Sequence, residues 1–330
     1  MQITVYTDKH RALWSRFLAG SVNGTLFHSQ EFLDYHPAGR FSWHHLIFGN
    51  PGEPLAVMPG AVHVDANGKT TYRSPSGATL GGLVLRPRLS LSQTIELVQS
   101  LVAYGRESGW SSIVLGTVPP LYWRTPDDAL EFVLRDAGFV STPQLMFYVP
   151  LKQAGSEADL LQLVPSAKRW EFRKSLQQGL EIRAAETPDQ IAQFYEVLRI
   201  NKAAHGTQPV HSLDELLGLR QRFPDRIRIL CAIKEGETLA GIYRVAATPR
   251  VSYTQYIADR PDSRDVQATR FVLFHTLQEL VQAGVEFLDL GPSVQLPIVR
   301  RGGVVFKESV GGFGCERREW ILGLSQPQAG

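Results

Sequence analysis

Gly109-Trp-Ser-Ser-Ile-Val-Leu-Gly116 and Gly284-Val-Glu-Phe-Leu-Asp-Leu-Gly291 are stretches of equal length and like pattern, one in each half of a 330-residue chain. Each opens at a glycine placed as a helix C-cap and runs into a strand ending Leu-Gly. Apolar residues at helical spacing precede both. Before the first copy these are Leu91, Ile95, Leu97, Val98, Leu101 and Val102, and before the second they fall within 268–283. Working outward, the order of elements also matches. Strands are expected at 3–7, 45–48, 55–64 and 70–73 ahead of the first copy, with a hairpin turn at Asn67-Gly68. Strands at 180–184, 227–233, 239–246 and 251–257, with helices at 188–205 and 213–222, lead to the second. A helix (127–137) and strand (139–151) follow the first copy; a short helix (304–310) and strand (316–324) follow the second. Self-similarity on this scale indicates a duplicated domain rather than a short-period solenoid. The reading is an α/β chain with mixed α+β sheets, in two domains covering 1–150 and 151–330.

Composition narrows the function. Lys and Arg number 34 against 32 Asp and Glu, a formal net charge of +2. That is no footprint for general nucleic-acid binding, though it leaves room for a local basic groove. Two cysteines, Cys231 and Cys315, without CxxC spacing read as reduced thiols of a cytoplasmic protein. The N-terminus lacks a signal-peptide pattern, and no stretch approaches the roughly 20 apolar residues of a membrane span. Metal-site spacing is absent, and the adjacent His44-His45 point to opposite faces of a strand, which fits a structural role.

Three segments carry a resemblance. Leu163-Val-Pro-Ser-Ala-Lys-Arg-Trp-Glu-Phe-Arg-Lys-Ser-Leu-Gln-Gln-Gly-Leu-Glu-Ile is similar to the signature that opens the second domain of FemAB-like proteins. Phe223-Pro-Asp-Arg, followed by two apolar strands, resembles that family's central hairpin. Leu288-Asp-Leu-Gly-Pro-Ser, then Gly302-Gly-Val-Val-Phe-Lys-Glu-Ser-Val-Gly, resembles its closing motif. In the first half only the element order and Ser74-Pro-Ser-Gly-Ala-Thr-Leu-Gly-Gly match. The resemblance implies two tandem GNAT-like domains, the first binding the acceptor and the second holding the reaction centre. It implies transfer of an acyl or aminoacyl group onto an amine in cell-envelope or polysaccharide biosynthesis. The co-substrate would be an aminoacyl-tRNA or an acyl-CoA or other acyl-thioester, with no permanently bound cofactor. The partners would be a small-molecule or peptide- or sugar-linked amine and a charged tRNA. There is no room for the helical arm of some relatives. Two positions depart from the family: Arg300 replaces a frequent Asn, and Gly303 replaces Leu, which points to a more anionic acceptor or a lost contact.

The same resemblance places Lys307 at the donor–acceptor junction. Physically, a fixed ammonium there stabilises an oxyanion or a leaving oxygen; the plainer alternative is pairing with Glu308 or capping the helix. Glu308 is read as a base or as an orienter of Lys307, and Phe306 as core or cleft wall rather than a specific contact. Asp289, on a buried strand, serves either as a general base of raised pKa or in a structural salt bridge. Ser293 lies beyond the strand's C-terminal end, where α/β ligands collect. Lys168, Arg169, Arg173 and Lys174 form a basic cluster on one helix. Arg169 and Arg173 share a face suited to phosphates, or to plain solvation. Tyr253, Gln255 and Tyr256, with Arg244 or Arg270, are candidates to line the same cleft. His205 is an acid/base candidate or a helix cap. The turn at 259–270 contains no glycine, unlike the pyrophosphate cradle of acetyl-CoA enzymes, so standard CoA binding is not supported. The competing class is a non-catalytic ligand-binding or assembly protein on the same duplicated scaffold.

Overall fold

The computed structural model describes residues 1–152, 154–295 and 298–324. The chain divides into a unit of residues 1–144 with the closing strand from Glu316, and a unit of Leu145–Cys315. In chain order the first half contains β1 (Ile3–Val5), α1 (Arg11–Gly20), α2 (Gln30–Leu33), β2 (Ser42–Trp43), β3 (Leu46–Asn50), β4 (Glu53–Met58), β5 (Ala61–Val64), β6 (Thr70–Ser74), β7 (Val84–Leu85), α3 (Leu91–Glu107), β8 (Ser112–Gly116), α4 (Ala129–Asp136) and β9 (Val140–Pro150). The second contains α5 (Glu157–Leu163), α6 (Arg169–Ser175), β10 (Glu181–Ala184), α7 (Pro188–Ala204), α8 (Leu213–Arg222), β11 (Ile227–Lys234), β12 (Glu237–Ala246), β13 (Val251–Asp259), α9 (Ala268–Gln282), β14 (Phe287–Gln295), β15 (Ile298–Val299), α10 (Arg301–Ser309) and β16 (Phe313–Gly323).

The two copies of the repeated stretch become β8 and β14. In the first unit β6 and β8 lie parallel, with Thr71 opposite Ser112, and α3 forms the crossover between them. In the second, β13 and β14 lie parallel, with Val251 opposite Phe287, and α9 forms the crossover. Gly109 and Gly284, both at φ 71°, close α3 and α9 in the left-handed conformation that glycine adopts without penalty. Local chemistry fixes the helix starts. Ser90, Thr187 and Ser212 each cap an N-terminus and receive a glutamine or glutamate in return, closing a capping box.

In the second unit, β10, β11, β12 and β13 form an antiparallel run onto which β14 adds in parallel. Helix α9 buries Phe271, Val272, Leu273, Phe274, Leu277 and Leu280, nearly its whole circumference. It packs on β11, β12 and β13 on one side and α5 and α6 on the other, which explains why its apolar pattern wraps around rather than forming a stripe. In the first unit Trp14, Ile47, Val57 and Val84 are buried together beneath β1, β3, β4 and β7.

The single strand expected at 55–64 is in fact two strands in different sheets. β4 pairs with β3 and β7, whereas β5 pairs with β2 and β6. Pro59 has no N–H to offer a ladder, and a side chain on Gly60 would meet Tyr72 Oη at 2.3 Å, so the chain bends at this pair. At the other end of the chain, β14 continues past Leu290 to Gln295, and α10 begins at Arg301 rather than Val304.

Candidate active-site cleft of the second unit

Parallel pairing of β13 with β14 covers only Val251–Tyr253 and Phe287–Asp289. Beyond it a cleft of about 1130 Å³ opens, lined by Tyr253–Asp259 on one side and Leu290–Ser293 on the other. The end of α7 and the first turns of α9 and α10 complete it.

The Asp289-Leu-Gly-Pro-Ser motif shapes the cleft floor. Asp289 is fully buried, and its carboxylate accepts the Gly291 N–H at 2.7 Å. Gly291 sits at φ 73°, where a side chain would be strained. Carboxylate and glycine together fix a turn inside β14 that aims two carbonyls at Lys307. Its Nζ donates to Gly291 O at 2.6 Å and Pro292 O at 3.0 Å. An ammonium has three donors, so these two bonds set its direction. Lys307 is 9% exposed and lies 5.8 Å from the centroid of the Phe147 ring. Burial pushes its pKa down to about 8; the Asp289 charge opposes that fall and Arg300 adds to it. Asp289 therefore acts as counter-charge and turn-former behind the cleft and does not line it.

Seven basic side chains line the cleft against two carboxylates, Glu171 and Asp259. Both carboxylates are already engaged. Arg270 holds Glu171 through Nε (2.9 Å) and Nη2 (2.7 Å), reaches Ser309 Oγ at 3.1 Å, and lies near the Phe172 and Phe306 rings. Lys168 takes the other Glu171 oxygen at 2.5 Å. Asp259 accepts from Asn201 Nδ2 (2.8 Å) and Thr269 Oγ1 (3.1 Å). Among the described residues Lys202, Arg264, Arg300 and Arg301 make no ion pair. The Lys202 pKa is lowered, first by burial and then by Arg300. Its Nζ lies 5.8 Å from the Tyr256 ring centroid. The buried Tyr256 hydroxyl accepts the His211 amide N–H at 3.3 Å and lies 2.6 Å from His211 Nδ1. Burial raises the Tyr256 pKa.

Of the residues singled out from sequence, Tyr253, Gln255, Tyr256, Arg270, Ser293, Arg300, Phe306 and Lys307 all line this cleft. Arg169, Arg173 and Lys174 do not. Glu171, Phe172 and Ser175 form the buried side of α6, and Lys168, one turn before Glu171, is the member of the basic cluster that reaches the cleft. Arg169 spends its guanidinium on the carbonyls of Val164 (3.0 Å) and Gln162 (3.4 Å), while Arg173 and Lys174 face solvent. Glu308, about 100° around α10 from Lys307, is exposed and away from the cleft. Lys307 thus pairs with carbonyls of β14 and not with Glu308. Arg244 is bound to Glu279 on α9 at 2.9 Å. His205 does both things expected of it in placement: it borders the cleft and closes α7, with Nδ1 2.8 Å from Asn201 O. Sequence reasoning missed Lys202, Arg264, Arg301 and His211. Lys202 carries a usable signal, standing in the last turn of a helix with a clear cap. His211 carries none, because only the tertiary fold brings its loop to Tyr256. Among the described residues no helix is long and apolar enough to cross a membrane, and no group of three His, Cys, Asp or Glu side chains could hold a metal ion.

Residues 167–297 match a family model described as acetyltransferase (GNAT) domain. Solved structures of similar fold include FemX, at 13% identity and TM-score 0.71, covering 96% of this chain and 97% of that one. The tandem GNAT protein from the clavulanic acid biosynthesis pathway matches at 11% identity and TM-score 0.58, covering 99% of each chain. L-PGS from Bacillus licheniformis matches at 11% identity and TM-score 0.60, covering 96% and 93%. At these identities the likeness is one of fold. No curated protein matches the chain. The chain therefore has the tandem GNAT fold expected from its FemAB-like motifs, and residues 167–297 are similar to the acetyltransferase (GNAT) domain.

Proposed function

We propose that this protein is an acyl- or aminoacyltransferase that forms an amide on an amine acceptor, with reaction at Lys307 in the second unit's cleft. The observation that carries the reading is Lys307 itself, a buried ammonium held by two backbone carbonyls at the floor of a cation-lined cleft. A buried lysine is costly, and two fixed acceptors orient it more tightly than a merely solvated residue requires. The acceptor nitrogen attacks the donor's carbonyl carbon, a C–N bond forms and charge builds on the carbonyl oxygen. The C–O or C–S bond to the donor then breaks, and the proton lost by the amine ends on the leaving oxygen or sulfur. The remaining Lys307 donor supports the developing charge on the carbonyl or leaving oxygen, an effect worth roughly 10²–10³ in rate.

The donor side has physical support. Helix α9 starts at Gln267 without a side-chain cap, so the N–H groups of its first turn are open to a phosphate. Past Tyr253, β13 lacks its parallel neighbour, leaving backbone groups for an extended acyl-bearing arm. These features suit an acyl-thioester with a phosphorylated carrier or the 3′ end of a charged tRNA. We assign the reaction to the C-terminal GNAT-like domain and a contribution to acceptor binding to the N-terminal one, in an envelope or polysaccharide pathway. The glycine-free turn before α9 favours the other reading, a ligand-binding protein without catalysis. Thermal shift and native mass spectrometry with acyl-CoAs and charged tRNAs, on wild type and Lys307→Met, separate these. Binding of either donor, with product formed by wild type and lost in the variant, is expected. Ribonuclease sensitivity identifies the tRNA case. Donor binding with turnover unchanged in Lys307→Met would refute the mechanism, and no binding of any donor would favour the non-catalytic reading.

A further inference from the structure

A second group of unanswered donors lies in the same cleft, at the start of α10. This nine-residue helix begins at Arg301 after Arg300, with no side-chain cap. Its first N–H groups, on Arg301, Gly302 and Gly303, precede any residue that could accept them within the helix. A side chain on Gly302 would meet nothing within 4 Å, so the approach to these groups is open. A side chain on Gly303 would come within 2.9 Å of Ser293 Oγ. Ser293 is 6% exposed, lines the cleft, and its hydroxyl makes no hydrogen bond among the described residues. Its Oγ keeps contact with the open cleft and faces the helix end, an unused donor and acceptor at that point. Arg300 and Arg301 border the same place without ion pairs. Arg300 also depresses the pKa values of both Lys202 and Lys307, so positive charge converges here, answered at Lys307 by Asp289 behind the cleft.

We propose that the first turn of α10, Ser293 Oγ and the Arg300 and Arg301 guanidiniums form an oxyanion-binding subsite, and that the amine acceptor carries the phosphate or carboxylate that fills it. Naming the ligand as the acceptor rests on the transferase reading; the subsite itself does not. The helix end and the hydroxyl supply directed donors, and the arginines supply charge and planar forks. Gly303 is what makes room, since any larger residue would fill the space over Ser293. The subsite is separate from the α9 end assigned to the donor and starts one residue beyond the carbonyls that hold Lys307, so a group bound here tethers its molecule beside the reaction point.

The test is the thermal midpoint of the full chain titrated with inorganic phosphate or acetate, against chloride at matched ionic strength. The variants are Arg300→Asn, Ser293→Ala and Gly303→Leu, with Arg264→Ala as control beside α9. A saturable rise is expected in wild type, with apparent Kd weakened roughly tenfold in Arg300→Asn and Gly303→Leu, several-fold in Ser293→Ala, and unchanged in Arg264→Ala. The near-isosteric Ser293→Ala keeps the test valid if the leucine disturbs the fold. A larger response to phosphate assigns a phosphoryl group, and a larger response to acetate a carboxylate. A response no greater than chloride, equal affinity in Arg300→Asn and Ser293→Ala, or loss in Arg264→Ala alone overturns the subsite. Failure of donor binding with this phosphate pattern intact would instead sink the transferase reading.

Discussion

Replacing Lys307 with methionine keeps the length of the side chain and removes its charge, and the consequence for stability can be worked out from burial. The folded-state pKa lies at about 8, against 10.5 for the free side chain. Below pH 8 native and unfolded chains both hold the proton, so Lys307 adds no slope to stability against pH. Between 8 and 10.5 the unfolded chain holds the proton and the native chain releases it, so stability rises with pH. Above 10.5 the curve is flat again. At about 1.4 kcal/mol per pH unit the whole rise amounts to about 3 kcal/mol, without discount for solvent because the residue is 9% exposed. Other groups titrate in the same range. Cys231, whose thiol burial pushes up to about 12, contributes with the opposite sign. These terms are common to both proteins and cancel in the difference between wild type and Lys307→Met. Urea unfolding of the pair at steps from pH 7 to 10.5 measures that difference. It is expected to be constant up to about pH 8 and then to grow in favour of wild type by about 3 kcal/mol. A difference flat across the range would mean that Lys307 is solvated, and the argument for a fixed, partly desolvated ammonium would fall with it.

Four further outcomes are expected. Asp289→Asn keeps an oxygen for the Gly291 N–H but removes the charge that supports the Lys307 ammonium, so the rise in stability begins below pH 8; an unchanged onset counts against the coupling. Gly291→Ala forces a side chain to φ 73° and destabilises by about 1–2 kcal/mol in urea unfolding, with turnover lowered as the two carbonyls shift from Lys307. Glu171→Gln leaves Arg270 and Lys168 without their counter-charge in a site where Arg270 and Glu171 are both largely buried, costing about 3 kcal/mol by the same assay. Binding of phosphate at pH 8 draws up part of a proton onto Lys307, because an anion raises the pKa that Arg300 depresses; calorimetry in buffers of different ionisation enthalpy reads this, and zero uptake contradicts it.

Much of the fold was legible because its determinants are local. The glycines at 109 and 284 and the apolar spacing of α3 are written within a few residues of where they act. The division of 55–64 into β4 and β5 was legible only in part: Pro59 is a local break, but the Tyr72 side chain lying against Gly60 comes from another strand. The cleft was legible to the extent that it is built from contiguous motifs. Residues 253–256, residues 290–293 and parts of the Arg300-to-Lys307 segment all reach it. The helix bearing Arg169 and Arg173 misled, since counting charges along α6 does not reveal that Glu171 and Phe172 are the residues turned inward. His211 was beyond reach for the same reason as Tyr72, as its partner is 45 positions away.

The departures from the family pattern and the electrostatics of the cleft have one physical explanation. Arginine at 300 in place of the family's frequent asparagine adds a charge beside Lys202 and Lys307 and disfavours both ammonium forms. Taken alone that substitution costs stability, and Gly303 in place of leucine gives up apolar contact and adds backbone freedom in a helix. Asp289 answers part of that charge at Lys307, but Glu171 and Asp259 are bound elsewhere and the Ser293 hydroxyl has no protein partner among the described residues. An oxyanion held between them offsets all three at once. It neutralises the repulsion, answers the hydroxyl and fills the space that the missing side chain leaves. Two substitutions that are each unfavourable in the free protein become favourable together in the complex, which is the behaviour expected of binding residues rather than structural ones.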